Sequence, residues 1–185
     1  MSRKNLLASG LLLIAVVSRV IPHIPNFTPV ESIALFSGVY IASRKMSFLL
    51  PIIGIYVADL ILNNTIYRSF YPEDSAFIWI SGYMLWTFIA MAGIIVFGKI
   101  LKTRLKPLNV VGFSVAGSLL FFIVSNFGVW LGSVTYPKNI TGLIECYTMA
   151  IPFFRNSLLS NLVFTAVLFG SMEWILRSRL SEAKA

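Results

Sequence analysis

The stretch 77–132, FIWISGYMLWTFIAMAGIIVFGKILKTRLKPLNVVGFSVAGSLLFFIVSNFGVWLG, decides the fold class of this chain. It holds two apolar runs, Phe77 to Phe97 and Val110 to Gly132, separated by a short piece carrying Lys99, Lys102, Arg104, Lys106 and no acid. Each run has about the 20 residues that a helix needs to cross a hydrocarbon core of roughly 30 Å. Basic residues between two such runs mark a cytoplasmic turn, because Lys and Arg accumulate on that side of a membrane.

Outward from this hairpin, four more apolar segments can be drawn. They run about 5–21, 29–42, 48–63 and 154–176, and with 77–97 and 110–132 they make six. The second is short for a full span, so it is expected either to tilt or to pack inside the bundle. Thr28 followed by Glu31 has the spacing of a capping box for its start. Pro51 falls in the first turn of the third segment, where a proline is tolerated. Arg3 and Lys4 before the run Leu6 to Val17 resemble the head of a secretory leader, but no A-x-A site follows. A retained first helix is expected.

The composition agrees with a membrane location. The 185 residues are 57% hydrophobic and 12% charged, with a formal net charge of +8. A soluble domain of this size leaves about a third of its surface wet, too much for this composition. The positive charge does not form a nucleic-acid-binding face, because it sits at the ends of apolar runs. Eleven of the fifteen Lys and Arg residues fall on the ends that share a side with Lys99 to Lys106. Both termini are therefore expected in the cytoplasm. The expected fold is all-α: a single domain over 1–185, a polytopic bundle of six transmembrane helices, multi-pass in a bacterial inner membrane. The lipid bilayer is its first partner, and no nucleic acid is expected.

Polar residues inside such a bundle are expensive and mark either pathways or partners. Asp59 and Asn63 share a face of the third segment with Tyr56; Asn126 and Trp130 lie four apart on the fifth, beside Ser125. On the sixth, Asn156 and Ser160 align, flanked by Arg155 and Asn161. All lie toward the outward ends. Arg19, Arg155, Glu31 and Asp59 balance in charge there. They can pair as structural salt bridges, or one arginine can remain for a ligand carboxylate or phosphate. Arg155, beside Pro152-Phe153-Phe154 at an expected helix start, is the better candidate, with backbone amides nearby to favour the same anion. At the cytoplasmic end Glu173 and Arg177 have favourable i, i+4 order for a structural pair.

His23 and Cys146 are weak metal candidates, since a lone histidine lacks co-ligands and a free cysteine most often packs as a small apolar residue. One cysteine excludes a disulfide framework and a CxxC site. No HExxH, GxSxG or P-loop occurs, so neither a cofactor nor an enzymatic role is expected. Energy for any active transport must come from another protein or an ion gradient.

Three strings are distinctive: RVIPHIPNFTPVE over 19–31, SNFGVW over 125–130, and Tyr147 followed by AIPFFRN over 150–156. Together they resemble a family of uncharacterised bacterial six-helix membrane proteins carrying a domain of unknown function, across nearly the whole chain. The size and six-span plan are also similar to the substrate-binding S components of energy-coupling-factor (ECF) vitamin transporters. That resemblance implies a bundle binding a vitamin or metal ion near its outer face, closed by the outward loops. It also implies an energising transmembrane scaffold with cytoplasmic ATPases. Ala8, Ser9, Gly10 and Ala15 are available for docking to it on the first helix, although no A-x-x-x-A occurs.

The resulting expectation is a small-molecule, vitamin-like binding and uptake subunit whose pocket opens extracytoplasmically. Arg19 and Arg155 would meet an anion, Glu31 and Asp59 would orient them, and Trp130 and Tyr147 would stack on an aromatic body. Asn126 and Asn156 would complete the polar wall. The alternative is a structural or assembly protein with no ligand, whose polar layer locks the helices. A membrane-embedded enzyme ranks last, for want of a nucleophile–base set.

Overall fold

A computed structural model describes residues 3–21, 24–70 and 76–182. Among them are six α-helices and no strand: α1 (Arg3–Ser18), α2 (Val30–Tyr40), α3 (Arg44–Asn64), α4 (Gly82–Lys102), α5 (Pro107–Gly132) and α6 (Ile140–Glu182). A 3-10 turn, Tyr67–Phe70, follows α3. Four helices are long and apolar enough to cross a membrane: α3, α4, α5 and α6 over Ile140–Ser178. Leu108, Val111, Leu119 and Ile123 on α5 and Val163 and Val167 on α6 are exposed. Such an apolar exterior suits lipid rather than water.

The short second segment is the centre of the molecule. All 11 residues of α2 are buried, and at 1.5 Å per residue the helix is only about 16 Å long. That is about half of a hydrocarbon core, so α2 by itself is not a span. It packs inside the bundle instead of against lipid. Its N-cap is Pro29, and no side chain caps it, so the Thr28–Glu31 capping box does not form. Glu31 is drawn away to α6, where Ser157 donates to it. At the other end Phe36, Tyr40 and Phe169 make a buried aromatic triad, with the Phe36 and Phe169 rings edge to face at 5.5 Å.

Pro51 lies deeper than a first turn, because α3 begins at Arg44 with Ser43 as its cap. A proline inside a helix leaves the carbonyl four residues earlier without its donor. Here that carbonyl is Ser47 O, and the Ser37 hydroxyl of α2 donates to it at 2.8 Å. The α2 serine thus repairs the ladder of α3.

Two helices depart from the apolar runs that announced them. In α4 the helix starts later, at Gly82, because Asn64 clasps Ile78 through both its N–H and its carbonyl (2.8 and 2.9 Å) and keeps the preceding residues out of the helix, and it runs on to Lys102. In α6 the helix starts at Ile140, well before residue 154. Asn139 caps it, accepting from Gly142 N at 2.9 Å, and Pro152 sits inside the continuous helix. Helices α5 and α6 are antiparallel and laced by polar bonds. Asn161 donates to Ser114 O and Ser118 Oγ (2.8 and 2.9 Å), and Thr165 donates to Asn161 Oδ1 at 3.2 Å.

The ends sort by charge. Lys99 donates to Ser47 Oγ at 2.8 Å, Asn5 accepts from Ala42 N at 3.3 Å, and the Lys4 ammonium lies over the Tyr40 ring. Tyr40 in turn donates to Glu173 at 2.9 Å. The start of α1, the end of α2, the start of α3, the end of α4 and the end of α6 therefore share one basic end. Glu173 is bonded to Tyr40 there, and no ion pair to the exposed Arg177 forms.

Candidate functional site

At the end opposite these basic residues lies a cavity of about 680 Å³, within the range of small-molecule sites. It is built where α1 ends and α2 begins, over the ends of α3 and α5, the start of α4 and the middle of α6.

Arg19 follows the last turn of α1 and reaches across to α3, where Asp59 is fully buried. Its Nε and Nη2 both donate to Asp59 Oδ1, at 2.9 and 2.6 Å, and this is the one ion pair among the described residues. Among the described residues Asp59 Oδ2 has no hydrogen-bond partner. The guanidinium is mostly buried yet lines the cavity, while Asp59 lies behind it. A guanidinium has five N–H donors in a rigid fork, so two bonds to one oxygen leave donor capacity for another acceptor. Glu31, also buried, lines the cavity and accepts from Ser157 Oγ.

The link between α1 and α2 is pinned to α6. Asn156 Nδ2 donates to Pro25 O at 3.0 Å and Ser160 Oγ to Thr28 O at 2.8 Å. Asn26, in the same link, adopts φ 60°, a left-handed conformation that asparagine accepts more readily than most residues. Asn156 thus shapes the cavity edge from behind and does not line it.

Asn126 does line the cavity, its amide N–H bonded back to Phe122 O at 2.8 Å. Trp130 and Tyr147 do not. The Trp130 indole donates to Pro137 O at 2.9 Å, in the turn between α5 and α6, and Lys138 donates to Trp130 O and Ser133 O. Tyr147 donates to Ile123 O at 2.6 Å and packs its ring on Phe122. Phe122 and Phe154, with centroids 4.9 Å apart, form the wall in front of it.

Arg155 stands apart from this group. It is exposed and does not line the cavity. The helix start expected beside it is at Ile140 instead, so the amides around residue 155 are spent inside α6. The four charges of the layer therefore resolve into one pair, Arg19–Asp59, a separate Glu31, and an arginine pointing elsewhere.

The cavity also takes residues that the sequence did not single out: Tyr67, Tyr83, Thr87, Phe121 and Phe122. Tyr83 donates to Asn63 Oδ1 at 3.1 Å, and Asn63 donates to Ser81 Oγ at 2.9 Å. Helix α4 is thereby a wall of the site, although none of the site residues singled out in the sequence lies on it. Phe153 and Phe154 enter the sequence reading only as part of an expected helix start.

Among the described residues no three His, Cys, Asp or Glu side chains converge as a metal would require. Cys146 is buried with its Sγ against Asn126 O at 3.6 Å. His23 lies outside the described residues.

Fold and site together define an all-helical protein of membrane type, with a polar, aromatic-walled chamber near one end. The chain belongs to a family of unknown function (DUF6580), whose model matches residues 1–183. No curated protein and no solved structure matches it. Membership brings no activity with it, and none of these comparisons ties the chain to ECF S components.

Proposed function

We propose that the protein binds a small, anionic, partly aromatic molecule in this chamber and serves its uptake, in the manner of an ECF S component. The observation that carries the reading is Arg19: a guanidinium held in place by a buried carboxylate, on a residue that lines a cavity of small-molecule size. Aromatic faces from Tyr67, Phe122 and Phe154 supply the stacking surface, and Ser125 and Asn126 the neutral polar contacts. Glu31 gives the ligand an opposite pole, suiting a molecule with both an anionic group and a donor.

The test pairs native mass spectrometry with a double replacement. Arg19→Met with Asp59→Leu removes both charges without stranding either, a change that buried pairs commonly tolerate. Wild-type protein extracted in mild detergent should carry a discrete small-molecule mass that the double variant lacks. A folded double variant retaining the same mass sinks the reading. Wild-type protein that carries no mass, and whose melting shifts with none of a panel of aromatic carboxylic acids, favours the structural alternative. In that alternative Arg19–Asp59 and the Asn161 network only lock helices.

The orientation follows from charge. With six crossings and both termini cytoplasmic, the basic end faces the cytoplasm and the chamber faces outward. Helix α1 crosses together with the turn 19–21 after it, and the chain returns inside the bundle, shielded from lipid, by α2 together with residues 24–29 before it. In a bacterial inner membrane this presents the chamber to incoming solute, and an energising scaffold with ATPases would meet the basic end. A Cys146→Ser background carrying Lys138→Cys should react with a membrane-impermeant maleimide on intact spheroplasts. The same background with Arg104→Cys should react only after lysis. The reverse pattern overturns the topology.

A further inference from the structure

At the basic end, on the outside of the bundle, a second hollow of about 620 Å³ runs between the start of α5 and the last turns of α6. Its sides are apolar: Pro107, Val110 and Val111 from α5, Leu162, Ala166 and Phe169 from α6. Halfway along it the α6 backbone is bare. A Cβ built on Gly170 would meet nothing within 4 Å, so the hollow there is open space and not a packed seam. At one mouth stand Lys106 and Arg177, both exposed and neither in an ion pair among the described residues. Glu173 lines the same mouth, with its carboxylate accepting from Tyr40. Trp174, 73% exposed, stands beside them.

Two features select the occupant. The hollow opens sideways from two helices of spanning length, on a face with exposed Val111, Val163 and Val167, so lipid tails and not water meet it. Its charged mouth is cationic and flanked by a tryptophan, the residue that settles at headgroup depth. Basic pockets between helices on the cytoplasmic side suit anionic headgroups. We infer that this groove is a binding site for an anionic phospholipid, with one acyl chain along Val110, Ala166 and Gly170 and the phosphodiester between Lys106 and Arg177. It is distinct from the outer chamber, with which it shares no lining residue.

The probes are phosphatidylglycerol and phosphatidylcholine of the same chains, added at equal ratio to delipidated wild-type protein in detergent and counted as adducts by native mass spectrometry. Wild type should retain phosphatidylglycerol over phosphatidylcholine by about tenfold or more, the scale expected from two interfacial cations. Lys106→Gln with Arg177→Gln should bring the two lipids level. Gly170→Phe, which places a ring in the open space and removes a helix-weakening glycine, should lose both adducts while its melting stays at the wild-type value or above. Equal retention of the two lipids by wild type overturns the inference, as does a Gly170→Phe protein that keeps its phosphatidylglycerol. Inorganic phosphate competing as well as the lipid also overturns it, since the groove would then be idle.

Discussion

Arg19→Met alone should destabilise the protein by about 3–5 kcal/mol, the cost of stranding one member of a buried ion pair. Asp59 is fully buried, and one of its oxygens already lacks a partner. Removing Arg19 would leave the other oxygen without its two donors as well. The expected asymmetry is informative: Asp59→Leu alone should cost less, because Arg19 lines the chamber and can turn its charge toward solvent there. The double replacement should return most of the loss, since neither charge is then stranded. Thermal unfolding in detergent, followed by intrinsic fluorescence, gives all four corners of the cycle. Equal penalties for the two single variants would mean that the chamber does not solvate Arg19. That result would also remove the basis for assigning it to a ligand. Stability and binding are separable here, because the double variant should be stable and empty.

This site shows where sequence reading stops. Apolar runs and their basic ends were enough to place Arg19, Glu31, Asp59 and Asn126 near one end, because helix length and charge asymmetry are one-dimensional properties. Which charges meet is not. Arg19 and Asp59 are 40 residues apart, and their pairing depends on how α1 crosses α3. The same limit hid the aromatic wall, since nothing in the sequence marks Phe122 until α6 folds back and sets Phe154 against it. Arg155 was misplaced for a local reason. Pro152 reads as a helix breaker, whereas Asn139, an ordinary N-cap residue twelve positions before Ile151, is the true signal of the helix start. Similarly, the run 29–42 showed that α2 was too short for a span, but not that every one of its residues would be buried.

Gly38 and Gly98 explain how a helix as short as α2 holds its place, and Gly98→Leu should abolish folding. The two glycines face each other where α2 crosses α4. A Cβ on Gly38 would run into Ile95 O and lie 2.9 Å from the Gly98 Cα, and a Cβ on Gly98 would meet Leu35 O and the Gly38 Cα in the same way. The obstacles are backbone on both sides, so no rotamer change relieves them. Close approach of this kind is how helices gain packing where lipid offers no hydrophobic drive for association. Even Gly38→Ala should cost about 3 kcal/mol or more, as overpacking against rigid backbone does at its upper end. Gly10→Ala and Gly112→Ala are the controls. Their Cβ positions are open, so each should be neutral or gain up to about 1 kcal/mol from helix propensity. The measurement is detergent-solubilised yield and melting across the four variants. Wild-type melting of Gly38→Ala would mean that α2 and α4 stand apart. The consequence reaches the chamber: α2 carries Glu31 at its chamber end and ties α3 through Ser37, so a shift at the glycine crossing moves both carboxylates of the site together. A Gly38→Ala protein that still folds should therefore lose ligand along with stability, whereas a destabilised Asn161→Ala protein, altered on the α5–α6 side, should keep it.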